Sequence, residues 1–323
     1  MSELTRILVV AGPTACGKSD LAVEIIEKTA EVDGLNVPRA EIINFDSVQF
    51  FDEVEIGAAK PSADLLSRAK HHLVGHVAKH EEFTAGNFRR DALDVIRECN
   101  ARAVSRFACV GGSGFYLQAL EKGMYDAPAS APETRSDLEA EIERTGSARL
   151  HEELKSRDPM AAAKIHVNDH YRIVRALEVL RHHQGQGSLS EIRAKLLAAS
   201  RTEEFTFKKI GLFRDRGILR QKVTERVRRM MSEGFIAEVE RLRAIGLSGW
   251  APLSSVGYKE VQAYLDGTLP KEKLEDAIVT STMQLAKRQM TWFRRDPEIM
   301  WFDTDKDWAA AVRFGQEFLA VRS

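Results

Sequence analysis

The sequence is poor in cysteine and lacks any long apolar run. Its three cysteines, Cys16, Cys99 and Cys109, form no CxxC pair, which argues against a disulfide framework and a cysteine-based zinc site. No 18 consecutive residues are apolar, so we expect no membrane-spanning helix and no membrane partner. The first six residues lead directly into an apolar stretch and leave no room for a signal peptide. These absences favour a cytoplasmic protein.

The sequence also lacks a net excess of charge. Its 47 lysines and arginines balance 48 aspartates and glutamates, so the whole chain is not built for bulk attraction to nucleic acid. Positive charge is uneven, however, because nine basic residues from Lys208 to Arg229 are opposed only by Asp215 and Glu225. A smaller basic group surrounds Trp292. Such clusters are usually solvated helix faces, so charge alone leaves nucleic-acid binding open.

The most specific motif lies near the start of the chain. It matches G-x-x-x-x-G-K-[ST] at every fixed position and comprises Gly12, Pro13, Thr14, Ala15, Cys16, Gly17, Lys18 and Ser19. An apolar run precedes it and a helical pattern follows, which is the context that a phosphate-binding loop requires. We predict that its backbone N–H groups and Lys18 bind phosphate and that the Ser19 hydroxyl holds Mg²⁺. The alternative is a chance match in a glycine-rich turn.

Two further strand patterns, at residues 41–45 and 106–110, are each followed by a turn that holds a candidate functional residue. The first ends at Asp46 and the second at a glycine turn that contains Ser113. Residues beyond the carboxyl ends of parallel strands form the site in open α/β sheets, so we expect both beside the phosphate loop. Asp46 could hold Mg²⁺ through water, act as a general base, or only cap a turn. The glycine turn could bind a ligand or merely reverse the chain.

Histidines crowd the segment between residues 71 and 80. His72, His76 and His80 have the i, i+4 spacing of metal ligands, but Gly75 disfavours a regular helix there. No cysteine or carboxylate is spaced along the sequence to complete a metal site. We therefore interpret these histidines as surface and packing residues.

The composition changes after residue 120. Residues 126–132 have the composition of a linker, residues 133–199 show successive helical patterns, and a strand pattern returns at 205–213. The sequence therefore predicts an α/β fold, a P-loop NTPase-like parallel sheet flanked by helices, with an inserted all-helical domain. We place the core domain at 1–122 and 201–323 and the insertion at 123–200. Residues 271–294 are predicted to form a long helix.

Taken together, these motifs resemble the tRNA dimethylallyltransferase (tRNA isopentenyltransferase) family over nearly the whole chain. Besides the phosphate loop, the resemblance rests on Asp46-Ser47-Val48-Gln49 and on residues 57–61, 110–116, 168–178 and 286–292. Many families share the loop, whereas residues 286–292 are close to specific for this one. Phe51 and Ser113 stand where the family usually has Tyr and Thr. The bacterial type is the nearer match, because the zinc-finger extension of eukaryotic relatives has no counterpart.

The resemblance implies transfer of a dimethylallyl group from dimethylallyl diphosphate to the exocyclic amine of the adenosine 3′ to the anticodon of tRNA. It implies that Asp46 accepts a proton from the amine and that Ser113 orients it. Lys18, Ser19 with Mg²⁺, and Arg216 would neutralise the leaving diphosphate. A monomer is expected. Contacts with the tRNA anticodon loop are expected from Asp46, Ser47, Val48, Gln49, Arg135, Tyr171, Arg172, Ile173, Val174, Arg175, Ser255, Val256, Gly257, Tyr258, Thr282, Lys287, Arg288 and Gln289.

Two alternatives share part of these features. A P-loop kinase acting on a nucleotide or another small acceptor would share the sheet, the loop and Asp46, but would not explain residues 286–292. An RNA-binding ATPase or scaffold would share the basic helices. A motor ATPase normally carries a hydrolytic carboxylate after a strand such as 106–110, and the sequence has none there.

Overall fold

The computed structural model describes residues 4–32, 40–124, 132–183, 187–200 and 205–320. The chain divides into two compact units, Met1–Leu117 with Glu204–Ser323, and Gln118–Glu203. This division lies within a few residues of the predicted domain boundaries. The predicted linker at 126–132 lies outside the described residues, apart from Pro132, with which a helix begins.

The first unit contains a six-stranded parallel sheet. Its strands are β1 Arg6–Ala11, β2 Ala40–Asn44, β3 His71–His72, β4 Arg106–Gly111, β5 Thr206–Phe213 and β6 Ile299–Asp303. They lie in the order β3-β2-β4-β1-β5-β6, and every neighbouring pair is parallel. Strands β1, β2 and β4 are apolar and almost wholly buried, as expected for strands covered on both faces. The predicted α/β fold with a parallel sheet is confirmed.

Helices flank this sheet and form the second unit. In chain order the described helices are α1 Lys18–Val32, α2 Ala63–Arg68, α3 Ala85–Ala101, α4 Gly114–Lys122, α5 Pro132–Thr145, α6 Ser147–Arg157, α7 Pro159–Ala162, α8 His170–His182, α9 Leu189–Ser200, α10 Arg216–Ser232, α11 Phe235–Ala244, α12 Tyr258–Leu265, α13 Lys271–Phe293 and α14 Trp308–Ala320. A 3₁₀ turn covers Ala251–Ser254. None of the described helices is long and apolar enough to cross a membrane.

The second unit is helical wherever the structure describes it, as predicted. Asp158 ties two of its helices together, because its Oδ1 accepts the Ala161 N–H at 2.8 Å and its Oδ2 accepts the Ser190 N–H at 2.7 Å. Ile173 and Val174 of α8 lie in the core of this unit, with 0% and 4% of their surface exposed. The apolar face of α8 turns both side chains inward, and their contact with tRNA stays a prediction.

Candidate active site

The phosphate loop (residues 12–19) has a backbone that its glycines make possible. Gly12 has φ +143°, and a Cβ there would lie 2.5 Å from the carbonyl oxygen of Leu212. Gly17 has φ +77°, and even Ala15 adopts φ +63°. Lys18 folds back over the loop and donates from Nζ to the Pro13 carbonyl at 2.9 Å. The loop thus brings Lys18 over its own backbone at the start of α1, where free backbone N–H groups favour an anion.

Two arginines that the sequence did not single out contact this loop. Arg214 Nη1 donates to the Ala15 carbonyl at 2.9 Å, while its Nε donates to Asp305 Oδ2 at 2.9 Å. Arg226 Nη1 donates to Thr14 Oγ1 at 3.1 Å. By contrast Arg216, the arginine expected to neutralise the diphosphate, is exposed at the first position of α10.

A cavity of about 470 Å³ opens beside the loop. Four cationic side chains and two acidic ones line it, namely Arg214, Lys222, Arg226, Arg229, Asp20 and Glu225. The excess of positive charge, together with the amides at the start of α1, suits the cavity to an anion.

Asp46 lies close enough to the loop for its charge to act on Lys18 of the loop and on Arg226 of the cavity. Burial lowers the pKa of Lys18, and the carboxylate of Asp46 opposes that effect. Burial likewise lowers the pKa of Arg226, again opposed in part by Asp46. An acidic group and the loop cations therefore share one site at the carboxyl edge of the sheet, where the order of the strands places them.

The turn after β2 holds Asp46 and Ser47 against the second glycine turn (residues 111–114). Asp46 Oδ1 accepts the Val48 N–H at 3.1 Å, so the carboxylate does close a turn. Among the described residues no hydrogen bond to Oδ2 is found. Ser113 Oγ accepts the Ser47 N–H at 3.1 Å and donates to Ser47 Oγ at 3.1 Å. Asp46 and Ser113 are thus held as neighbours, one through its own turn and the other through Ser47.

Helix α13 closes the site from the C-terminal part of the chain. Gln289 Oε1 accepts the Thr14 N–H of the phosphate loop at 3.0 Å. Its Nε2 faces Gly112, where a Cβ would lie only 2.2 Å away. Gln289, expected to contact tRNA, therefore bridges the two glycine turns, while the neighbouring Lys287 and Arg288 are exposed.

A buried carboxylate shapes the surroundings of residues 57–61. Glu238 accepts N–H donors from Ile56 at 2.6 Å and Gly57 at 3.3 Å, and the hydroxyl of Tyr258 at 2.5 Å. Tyr258 is 0% exposed and packs edge-on against Phe235. Its ring and hydroxyl are both used inside the protein, and its contact with tRNA stays a prediction. Burial raises the pKa of this hydroxyl, and the charge of Glu238 raises it further.

The neighbouring residues of that predicted set differ in exposure. Gly257 is buried at φ +94°, whereas Ser255 and Val256 are half-buried. Gly257 thus exposes little surface, and its contact with tRNA stays a prediction. Gln49 is half-buried and donates from Nε2 to the carbonyls of Ala58 and Ala59 at 3.2 and 2.9 Å. It therefore supports the turn at 57–61 from within.

The remaining predicted contacts are half-buried or exposed. Ser47 and Val48 are half-buried beside Asp46, and Thr282 is half-buried on α13. In the second unit Tyr171 is 67% exposed, and the guanidinium of Arg135 lies 5.7 Å from its ring centroid. Arg172 is exposed, while Arg175 pairs with Glu178 at 3.0 Å. Tyr171, Arg135 and Arg172 thus offer one aromatic ring and two cations to solvent.

The histidine segment contradicts the expectation that no carboxylate or cysteine accompanies it. His72 Nε2 lies 2.5 Å from Glu41 Oε2 and 3.8 Å from Cys99 Sγ. The pairing of β2 with β3 and the packing of α3 bring these three metal-ligand types together, although they are far apart in sequence. Arg102 lies against both Glu41 and Cys99, at 3.3 and 3.1 Å, and so supplies a positive charge to the cluster.

Comparison with known proteins agrees with this site. The family model described as IPP transferase matches residues 49–296. The chain is 40% identical over 315 residues to the tRNA dimethylallyltransferase of Bdellovibrio bacteriovorus, covering 97% of this chain and 98% of that protein. It is 39% identical over 300 residues to that of Geobacter sulfurreducens, covering 93% and 92%. The chain belongs to the tRNA dimethylallyltransferase family.

Solved structures support the same assignment. A full-length tRNA isopentenylpyrophosphate transferase from Bacillus halodurans superposes with a TM-score of 0.68 at 29% identity, covering 98% of this chain and 97% of that one. A eukaryotic dimethylallyltransferase captured acting on tRNA gives 0.75 at 26% identity, covering 93% and 74%. The resemblance inferred from the motifs is confirmed, and the enzyme is a prenyltransferase of the tRNA-modifying class with a P-loop fold.

Proposed function

We propose that the enzyme transfers the dimethylallyl group of dimethylallyl diphosphate to the exocyclic amine of the adenosine 3′ to the anticodon of tRNA. One observation carries the proposal: Asp46 and Ser113 follow two parallel strands, Ser113 is bonded to Ser47 beside Asp46, and the charge of Asp46 acts on Lys18 of the phosphate loop. A proton acceptor and an anion site therefore lie side by side. Transfer from a diphosphate to an amine needs both.

The phosphate loop would hold the leaving diphosphate. As the bond between the allylic carbon and the diphosphate oxygen breaks, its electron pair leaves with the diphosphate. The N–H groups of the loop, the amino end of α1 and Lys18 then stabilise that charge. Arg226 adds a cation already bonded to the loop at Thr14. Arg216 would add its charge from the first turn of α10.

The residues present fit a magnesium ion. The Ser19 hydroxyl follows Lys18 at the start of α1, and no hydrogen bond to another described residue engages it. It offers an oxygen ligand of the kind that Mg²⁺ prefers, and water and the diphosphate oxygens would supply the others. When bound, Mg²⁺ would neutralise part of the charge on the diphosphate.

The acceptor side would be built by Asp46 and Ser113. The exocyclic amine of adenine is a poor nucleophile, so its attack on the allylic carbon is helped by a base that takes its proton. Asp46 would take that proton, while the Ser113 hydroxyl, fixed by Ser47, would orient the amine. The adenine must leave its stack to reach them, as in other base-modifying enzymes. Exposed cations such as Lys287 and Arg288 would bind phosphates of the anticodon loop. We expect a monomer that acts in the cytoplasm.

The test is a direct assay of transfer. The purified chain is incubated with tRNA, dimethylallyl diphosphate and Mg²⁺, and the digested nucleosides are analysed by mass spectrometry. We expect dimethylallyl-adenosine in amounts that grow with time, and far less with Asp46→Asn. A parallel incubation with ATP tests the kinase alternative. Consumption of ATP with phosphorylation of an acceptor, and no prenylated adenosine, would refute the proposal.

A further inference from the structure

Two large aromatic side chains are exposed at the second glycine turn, and the proposed chemistry does not use them. Phe115, two residues beyond Ser113, is 53% exposed, and Trp292 in the last turn of α13 is 40% exposed. The indole of Trp292 lies directly on the backbone of Gly114, where a Cβ would come within 2.1 Å of its Cδ1 and Nε1. Glycine at that position therefore lets Trp292 pack against the turn that carries Ser113 and Phe115.

Scattered exposed hydrophobic residues are normal, but the charges around this pair are not those of an ordinary surface. Lys287, Arg288, Arg294 and Arg295 surround Trp292 along α13 and just beyond it, and all four are exposed. Among the described residues none of the four has an acidic side chain within ion-pair distance. The group therefore presents uncompensated positive charge.

The longer basic stretch from residue 208 to residue 229 is compensated in part. Lys209 pairs with Asp296 and Glu298 at 2.7 and 2.8 Å. Arg214 pairs with Asp305 and Lys222 with Glu225, both at 2.9 Å. Around Trp292, by contrast, none of the four cations has such a partner among the described residues, so this smaller group offers all of its charge to a ligand.

Exposed aromatic rings among free cations are the features that bind single-stranded RNA, through stacking and through phosphate contacts. We propose that Phe115 and Trp292 form an aromatic platform on which an unpaired base of the substrate RNA, next to the acceptor adenosine, stacks. Withdrawal of the acceptor adenine towards Asp46 and Ser113 leaves a neighbouring base without its stacking partner. The aromatic platform lies at the turn that holds Ser113 and replaces that partner. This inference rests on the proposed function.

The test is a double-mutant cycle between protein and RNA. An anticodon stem-loop RNA is prepared with its loop bases removed one at a time, as abasic nucleotides, and its affinity is measured. With the wild-type enzyme, removal of one particular base should weaken binding by about 5- to 150-fold, the range for a single base–aromatic stack. With Trp292→Leu or Phe115→Leu, the intact RNA should bind correspondingly more weakly. Removal of the same base should then cost less than about 2-fold, since the stack is already lost.

Controls separate stacking from loss of structure. Trp292→Phe keeps an aromatic face and should retain most of the affinity, whereas Ile245→Ala removes another exposed apolar side chain, just after α11, and should change nothing. Additive losses at every loop position, or unchanged affinity in both leucine variants, would overturn the aromatic platform. Transfer at saturating RNA is measured alongside. Absence of transfer by the wild-type enzyme would instead refute the proposed function, which the binding cycle leaves untouched.

Discussion

The hydroxyl of Ser113 accepts the backbone N–H of Ser47 at 3.1 Å, a bond that joins the turns after β4 and β2. This bond fixes Ser113 beside Asp46 and leaves its oxygen next to the proposed position of the acceptor amine. We expect Ser113→Ala to lower kcat by about 10-fold, because the turn and the amine both lose a hydrogen bond. Ser113→Thr keeps the hydroxyl and should stay within about 3-fold of wild type. Steady-state kinetics with tRNA decides, and equal activity of the alanine variant would remove Ser113 from the mechanism.

The second prediction concerns Gln289, which accepts the Thr14 N–H at 3.0 Å. Gln289→Ala should lower kcat/KM for dimethylallyl diphosphate by about 3- to 10-fold, the effect of losing one hydrogen bond that orders the loop. Gln284→Ala removes an exposed glutamine of the same helix and is the matched control. If Gln289 served only to contact tRNA, the alanine variant would raise KM for tRNA and leave the diphosphate kinetics intact.

Gly57 provides a test of the packing around Glu238. A Cβ at this position would lie 2.2 Å from Phe235 Cε2 and 2.5 Å from Tyr258 Cζ. Gly57→Ala should therefore lower the free energy of unfolding by about 1–3 kcal/mol, as overpacking of a core does. Gly249→Ala, with nothing within 4 Å of its new Cβ, should change it by less than about 0.5 kcal/mol. Denaturant unfolding of both variants measures the difference. Similar unfolding midpoints would show that the rings of Phe235 and Tyr258 move aside at little energetic cost.

The pH dependence of kcat/KM should reflect the ionisation of Lys18. Burial lowers the pKa of its ammonium from the ordinary lysine value of 10.5, so the free enzyme loses this charge as the pH rises, before pH 10.5 is reached. The kcat/KM for dimethylallyl diphosphate should accordingly fall on the alkaline side with an apparent pKa below 10.5. The thiol of Cys16 lies in the same loop and could titrate in the same pH range. Cys16→Ala is therefore the control, and it should keep the alkaline fall in kcat/KM. A value of kcat/KM that stays constant up to pH 10.5 would contradict the lowered pKa of Lys18.

The sequence was sufficient for the parts of the site that local pattern determines. A fixed-spacing glycine loop after an apolar strand has one common structure, and the carboxyl ends of parallel strands meet at one edge. The loop, Asp46 and Ser113 could therefore be predicted to meet. Ile173 and Val174 could have been recognised as core from the apolar period of α8, had that pattern been weighed above the motif that contains them.

Other contacts have no local signal. Glu238 bonds both residues 55–57, which lie 181 to 183 residues before it, and Tyr258, which lies 20 residues after it. Helix α10 carries arginines on several faces, so its sequence does not reveal that Arg226 is the one that reaches Thr14. Tyr258 lies between a glycine and a lysine, a pattern typical of a surface segment. The buried carboxylate of Glu238, which binds its hydroxyl, can be identified only from the three-dimensional structure.

The central claim is that Asp46 takes the proton of the acceptor amine while the phosphate loop holds the leaving diphosphate. Single-turnover transfer of the dimethylallyl group to tRNA by Asp46→Asn, followed across a Mg²⁺ titration, tests it most directly. The asparagine keeps the size of the side chain but cannot accept the proton, so the rate should fall by roughly 10²–10⁴-fold at every Mg²⁺ concentration, with both substrates still bound. Recovery to near the wild-type rate at high Mg²⁺ would contradict the account and show that Asp46 serves the metal instead.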